Sequence, residues 1–238
     1  MNSLDVLWLA WPFIGLGGGI AIVLYLFMSP SFSTEKGGYK DRFFNPTWIA
    51  WAVAAAYLFH VMEEYGCHIE NGQYVMITRF HEMGVDVLLG GLPLAFFPYV
   101  NIGFTWAGLP ISAVISKKNP VVGLSGTGFL IMNALTHIAA GLAGKMSLTE
   151  NAGSITGIFL FIPLFIWAIV ANNKVHFMSK KGMMIAALSG VIGHIALFLG
   201  YGVNKFVGHF AAYIFFAFVW FSGIIISSIW CKKSKVLD

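Results

Sequence analysis

The chain has 238 residues, of which 58% are hydrophobic and only 10% charged, with a formal net charge of +4. This is more apolar material than one water-soluble core of that length takes up, so a water-soluble globular enzyme is excluded and lipid is the expected surrounding. The basic residues are scattered through short loops instead of massed on one surface, which argues against nucleic acid as a partner.

A membrane span takes roughly 20 apolar residues, so this length allows about six to eight helices joined by short loops. The first apolar run, at about 6 to 28, has no basic residue before it and Lys36, Lys40 and Arg42 after it, the pattern of an uncleaved first span. Further runs fall at about 47 to 66, 84 to 116, 121 to 143, 152 to 171, 183 to 201 and 209 to 231. The third contains Pro93, Pro98, Asn101 and Pro110 and reads either as one kinked crossing or as two short ones.

Loop charge decides between these, because cytoplasmic loops carry the excess of Lys and Arg. With one crossing, Lys36, Lys40, Arg42, Lys117, Lys118, Lys174, Lys180, Lys181, Lys232, Lys233 and Lys235 share one side, and only Arg79, Lys145 and Lys205 face the other. The predicted fold is therefore all-α, a polytopic transmembrane helical bundle of about seven spans. It forms a single transmembrane domain over 1–238, in the cell membrane, with the N-terminus outside and the C-terminus in the cytoplasm. Cys67 and Cys231 then lie on opposite sides and do not pair. Gly15 with Gly19, and Gly190 with Gly193, mark places where helix backbones approach closely.

Against this apolar background a few polar residues stand out. His60, Glu63 and Glu64 lie at i, i+3 and i+4 on one face of the second span. The fourth span carries Asn133 and His137, the sixth His194, and the third starts near Asp86. Spans two, four and six all run outward, and each places its histidine shortly before its outer end: His60 before Gly66, His137 before Ala143, His194 before Tyr201. The three imidazoles are expected roughly 9 to 11 Å below the outer boundary, in one layer.

Histidines and carboxylates brought to one depth by several helices are how bundle proteins build metal sites. The expected ligands are His60, Glu64, His137 and His194, with Asn133 and Asp86 in support. Imidazole and carboxylate donors suit a divalent metal: zinc, iron or manganese. Glu63 and Glu64 are the candidate catalytic carboxylates. Plainer roles compete with these. Glu63 and Glu64 are near enough to a span end to reach headgroups, His194 equally suits an interhelical hydrogen bond, and Asp86 equally suits a helix start. His68, His81, Glu82 and His209 fall in loops or at span ends, where solvated surface is expected, and His176 falls in a cytoplasmic loop.

The stretch His60-Val-Met-Glu63-Glu64, followed by Asn133-Ala-Leu-Thr-His137, resembles the HXXEE-domain family of integral membrane proteins over roughly residues 50 to 171. The resemblance implies that His60, Glu63, Glu64, Asn133 and His137 are the family's signature polar positions, and it implies no particular activity. The HxxEH signature of zinc proteases is not met, since Glu64 stands where the second histidine would be.

Two functions fit these residues. One is a metal-dependent membrane enzyme acting near the outer leaflet on a lipid-like or small amphiphilic substrate. The other is an ion- or proton-coupled transporter using the same intramembrane His and Glu residues. Haem held between two histidines is a third arrangement open to this sequence. Membrane lipid is the expected partner, and the oligomeric state is left open.

Overall fold

The computed structural model describes residues 3–32, 38–66, 75–82 and 96–219. All its regular elements are helical. We label them α1 (Ser3–Met28), α2 (Pro46–Val61, continued by the π-wound Met62–Gly66) and α3 (Val75–Glu82). Next is α4, built from Phe96–Pro98, the π-wound Tyr99–Trp106 and Gly108–Ile115. Then come α5 (Pro120–Gly144), α6 (Ser154–Val175), α7 (Lys180–Val207) and α8 (His209–Val219).

The starts of these helices follow from local chemistry. The Asn45 side chain accepts from Thr47 N at 2.8 Å, and Pro46 follows it at the first helical position. Asn119 and Pro120 repeat the arrangement at α5, and Ser179 accepts from Gly182 N at α7. Helix α6 differs, because its N-terminal residue Gly153 has no side chain to offer. At the other end of α1, Arg42 donates to the carbonyls of Leu26 and Phe27, so this basic residue also closes a helix C-terminus.

Among the described residues four helices are long and apolar enough to cross a membrane: the Ala10–Met28 part of α1, and α5, α6 and α7. Helix α2 is not among them; Tyr57, His60 and Glu63 reduce its apolarity. It sits instead at the centre, with 13 of the 16 residues of Pro46–Val61 buried against α1, α4, α5 and α6. On the outside, Phe159, Ile166, Phe198, Leu199, Phe210 and Phe218 are exposed, a surface suited to lipid and not to water.

The observed helices match the first, second, fourth and fifth apolar runs closely, differ at the third and sixth, and follow the last as far as Val219, where the described residues end. The described part of the third run is one helix, α4, in which Pro110 cannot donate to the carbonyl a turn before it. The chain adjusts with a wide π-wound stretch just upstream, where Ala107 N bonds Ile102 O. The rest of that run, including Asp86, lies outside the described residues, as do Cys67, His68 and Cys231. The sixth run was expected to end at Tyr201, yet α7 continues through Lys205 to Val207 and stops at Gly208, whose φ is +113°. His194 is therefore near the middle of α7, not near its end.

Helices α5 and α7 pack with their backbones in contact. A Cβ on Gly190 would overlap the Gly128 carbonyl and Phe129 N, and one on Gly128 would overlap the carbonyls of Ala186 and Ala187. Ser189 Oγ, 3.0 Å from Ser125 O, adds a hydrogen bond across the crossing. Gly190→Leu must push the helices apart, and we expect it to destabilise the protein by about 3 kcal/mol or more. Gly17→Ala, where nothing lies within 4 Å, should leave stability unchanged or slightly raised. Thermal unfolding of the two variants in detergent checks the contrast.

Candidate metal centre

Three segments meet at one end of the bundle: the π-wound end of α2, the last turns of α5 and the first turn of α6. At their junction His60 Nε2 lies 3.3 Å, and His137 Nε2 3.1 Å, from the same carboxylate oxygen, Glu64 Oε1. All three residues are buried, His60 completely, and one ligand atom from each lies within 4.8 Å of the others. The two imidazoles stand edge to face with centroids 5.0 Å apart, and the Phe161 ring is 4.7 Å from His60.

Glu63 turns elsewhere. Its Oε1 accepts from Ile155 N at 3.0 Å, and its Oε2 accepts from Thr156 N at 2.8 Å and from the Thr156 hydroxyl at 2.5 Å. The carboxylate thus sits on the N-terminus of α6, supplying from another helix the cap that Gly153 cannot. In a regular α-helix Glu63 and Glu64 would both share the face of His60. The π winding of Met62–Gly66 carries both of them, and there Glu64 closes on the imidazoles while Glu63 reaches α6.

The consequence for His60 is chemical. The Thr156 hydroxyl has one hydrogen, and it goes to Glu63; its oxygen is then the acceptor for His60 Nδ1 at 2.7 Å. Nδ1 therefore carries a proton, and in the neutral imidazole Nε2 keeps a free lone pair. His60 Nε2 has no hydrogen-bond partner and faces the Glu64 carboxylate oxygen at 3.3 Å. Such an arrangement calls for a positive charge, and a carboxylate–hydroxyl–imidazole chain behind the ligand is how metal-binding histidines are commonly oriented.

The loop between α5 and α6 closes over this junction. Asn151 Nδ2 donates to His137 O at 2.7 Å and to Ser154 Oγ at 2.5 Å. Gly153, with φ of +87°, lies flat on the two rings: a Cβ there would come within 2.5 Å of His137 Cε1 and 2.7 Å of His60 Cε1. Thr156, Asn151 and Gly153 were not expected from sequence. Their signal is the Asn-Ala-Gly-Ser-Ile-Thr run before an apolar stretch, a helix-start pattern with no chemistry of its own.

Glu64 and His137, but not His60 or Glu63, border a cavity of about 280 Å3. Its walls include Phe96, Phe97, Phe129, Phe198 and Phe216, and its polar groups include Asn101, Asn133 and His194. His194, expected as a further ligand, does not join the cluster of His60, Glu64 and His137. Its Nδ1 lies 2.9 Å from Gly190 O on its own helix, and its ring packs on Phe129 at 4.7 Å. Asn133 likewise borders the cavity and not the cluster.

Thr156→Val keeps the shape and removes the hydroxyl. We expect a loss of about 1 to 3 kcal/mol of stability, from Glu63 and His60 Nδ1 losing a partner. The His60 ring nitrogens should also change from a single Nδ1-protonated form to a mixture, which nitrogen-15 NMR of histidine-labelled protein reads directly.

No curated protein and no solved structure matches the chain. Residues 51–168, which contain His60, Glu63, Glu64 and His137 and the start of α6, match a protein family, and through them the chain belongs to the proteins of unknown function with an HXXEE motif.

Proposed function

We propose that this protein is a metal-dependent membrane enzyme in which His60, Glu64 and His137 hold one divalent ion and the adjoining cavity takes a lipid-like or small amphiphilic substrate. The observation that carries this reading is the buried convergence of His60, Glu64 and His137, with His60 held through Nδ1 by Thr156 so that its Nε2 faces the same carboxylate oxygen as His137 Nε2. Two imidazoles and one carboxylate suit zinc, iron or manganese and match three-ligand sites that leave a coordination position open.

When bound, such an ion polarises an oxygen of the substrate or activates water. The chain's own residues divide the remaining work. Glu64 and His137 border the cavity, so that a substrate reaches the ion from that side, whereas His60 closes the site from behind. Glu63 is a positioning residue, because its oxygens are committed to α6. Phe198 both lines the cavity and is 59% exposed, so the mouth lies beside the outer surface of α7, where an amphiphile in the surrounding lipid can enter.

The proposal includes seven spans with the N-terminus outside, supported by the loop charges. With that orientation the ends of α2 and α5 and the start of α6 are at the outer side, and the site is served from the outer leaflet.

Protein purified in detergent without chelator should carry close to one divalent ion per chain by elemental analysis. His60→Ala, Glu64→Ala and His137→Ala should each lose it, and Glu63→Gln should bind it roughly 10- to 100-fold more weakly. His194→Ala should keep it. Folded wild-type protein that takes up no zinc, iron or manganese would overturn the proposal. Gradient-driven uptake into proteoliposomes without turnover of any amphiphile would mark the transporter instead.

A further inference from the structure

Two residues of the cavity wall each carry a buried polar atom without a hydrogen-bond partner: His194 Nε2 and Asn133 Oδ1. The protonation of His194 follows from its other nitrogen. Nδ1 lies 2.9 Å from the carbonyl oxygen of Gly190, which only accepts, so Nδ1 bears the hydrogen and Nε2 is an acceptor. His194 itself is 4% exposed, so bulk solvent does not satisfy that atom. The Asn133 amide oxygen is also an acceptor. A buried acceptor left empty costs about 1 to 3 kcal/mol, and two of them on one cavity describe what should fill it.

We propose that the substrate carries a neutral head with two hydroxyls, one donating to His194 Nε2 and the other to Asn133 Oδ1, on an apolar tail packed against Phe96, Phe97, Phe129 and Phe216. The acceptors require a donor. An ammonium head would donate as well, but a divalent ion balanced by the single carboxylate of Glu64 leaves net positive charge beside the cavity, which disfavours a second cation in a low-dielectric site. An ester or ether head offers only acceptors and leaves both wall atoms empty. The choice of hydroxyl over ammonium rests on the metal reading above; the requirement for a donor does not. His194 and Asn133 are binding residues here, and His60, Glu64 and His137 keep the metal role.

The test uses an alcohol with two hydroxyls, a long-chain terminal 1,2-diol, and its dimethyl ether, equal in tail and differing in the two donors. Each competes against a fluorescent fatty alcohol for the full-length protein in nanodiscs, with metal content measured on the same samples. Wild-type protein should prefer the alcohol by about tenfold or more, as one unsatisfied buried acceptor predicts. His194→Phe, which keeps a ring on Phe129 but removes one acceptor, should reduce the preference several-fold while metal content stays at wild-type level. Asn133→Leu should reduce it in the same direction. No preference in the wild type, or an undiminished preference in both variants, overturns the proposal. Protein that keeps the alcohol preference but takes up no zinc, iron or manganese when these are supplied would sink the metal reading and leave the donor-reading wall standing. A long-chain ammonium that competes better than the alcohol in metal-loaded protein would overturn the choice of a neutral head.

Discussion

A carboxylate inside an apolar helical bundle is stable only where several donors reach it, and Glu63 receives three, all from the first turn of α6. This contact joins two helices far apart in sequence and sets the depth at which α6 starts. It also takes the hydrogen of Thr156, which leaves that oxygen to receive the Nδ1 proton of His60. The Nδ1 proton of the buried histidine is thus held in place by an anion that never touches it. Charge at a helix N-terminus and protonation at an imidazole are one interaction here.

The π-wound segments belong to the same construction. Met62–Gly66 carries Glu63 and Glu64, Gly157–Phe161 follows Thr156 and brings Phe161 onto His60, and Tyr99–Trp106 carries Asn101, whose Oδ1 accepts from Tyr57 at 2.7 Å. Two of the three precede a proline that cannot complete the normal hydrogen-bond ladder, Pro110 and Pro163. Wide turns of this kind redirect side chains that regular winding would place elsewhere, and they gather at functional sites. Around them the bundle is closely packed, with Gly128 against Gly190 and Gly153 against the two imidazoles, so the junction has little room to relax.

Much of this architecture is legible in the residues themselves. Apolar runs give α1, α2, α5 and α6 to within a few positions, because about twenty apolar residues in a row leave a chain few alternatives. The meeting of His60, Glu64 and His137 was also within reach, since each stands out in an apolar helix. Other features were not. The divergence of Glu63 from Glu64 depends on π winding, which leaves no periodic trace over five residues. The role of Thr156 depends on a contact with a residue far away in sequence, and a threonine near a helix start is ordinary. His194 was placed by counting back from an expected helix end at Tyr201, and α7 runs on to Val207, past Lys205.

Taken together, two imidazoles and one carboxylate converge beside an apolar cavity, with a second carboxylate holding the geometry from outside. The metal is the claim on which the enzymatic reading turns, and X-ray absorption at the edge of a zinc ion added to the purified protein tests it most directly. The spectrum should show nitrogen and oxygen ligands at about 2.0 to 2.1 Å with the scattering pattern of two imidazoles, and no sulfur. His137→Ala should reduce that pattern to one imidazole. A spectrum without imidazole, or one that His137→Ala leaves unchanged, would contradict the metal centre.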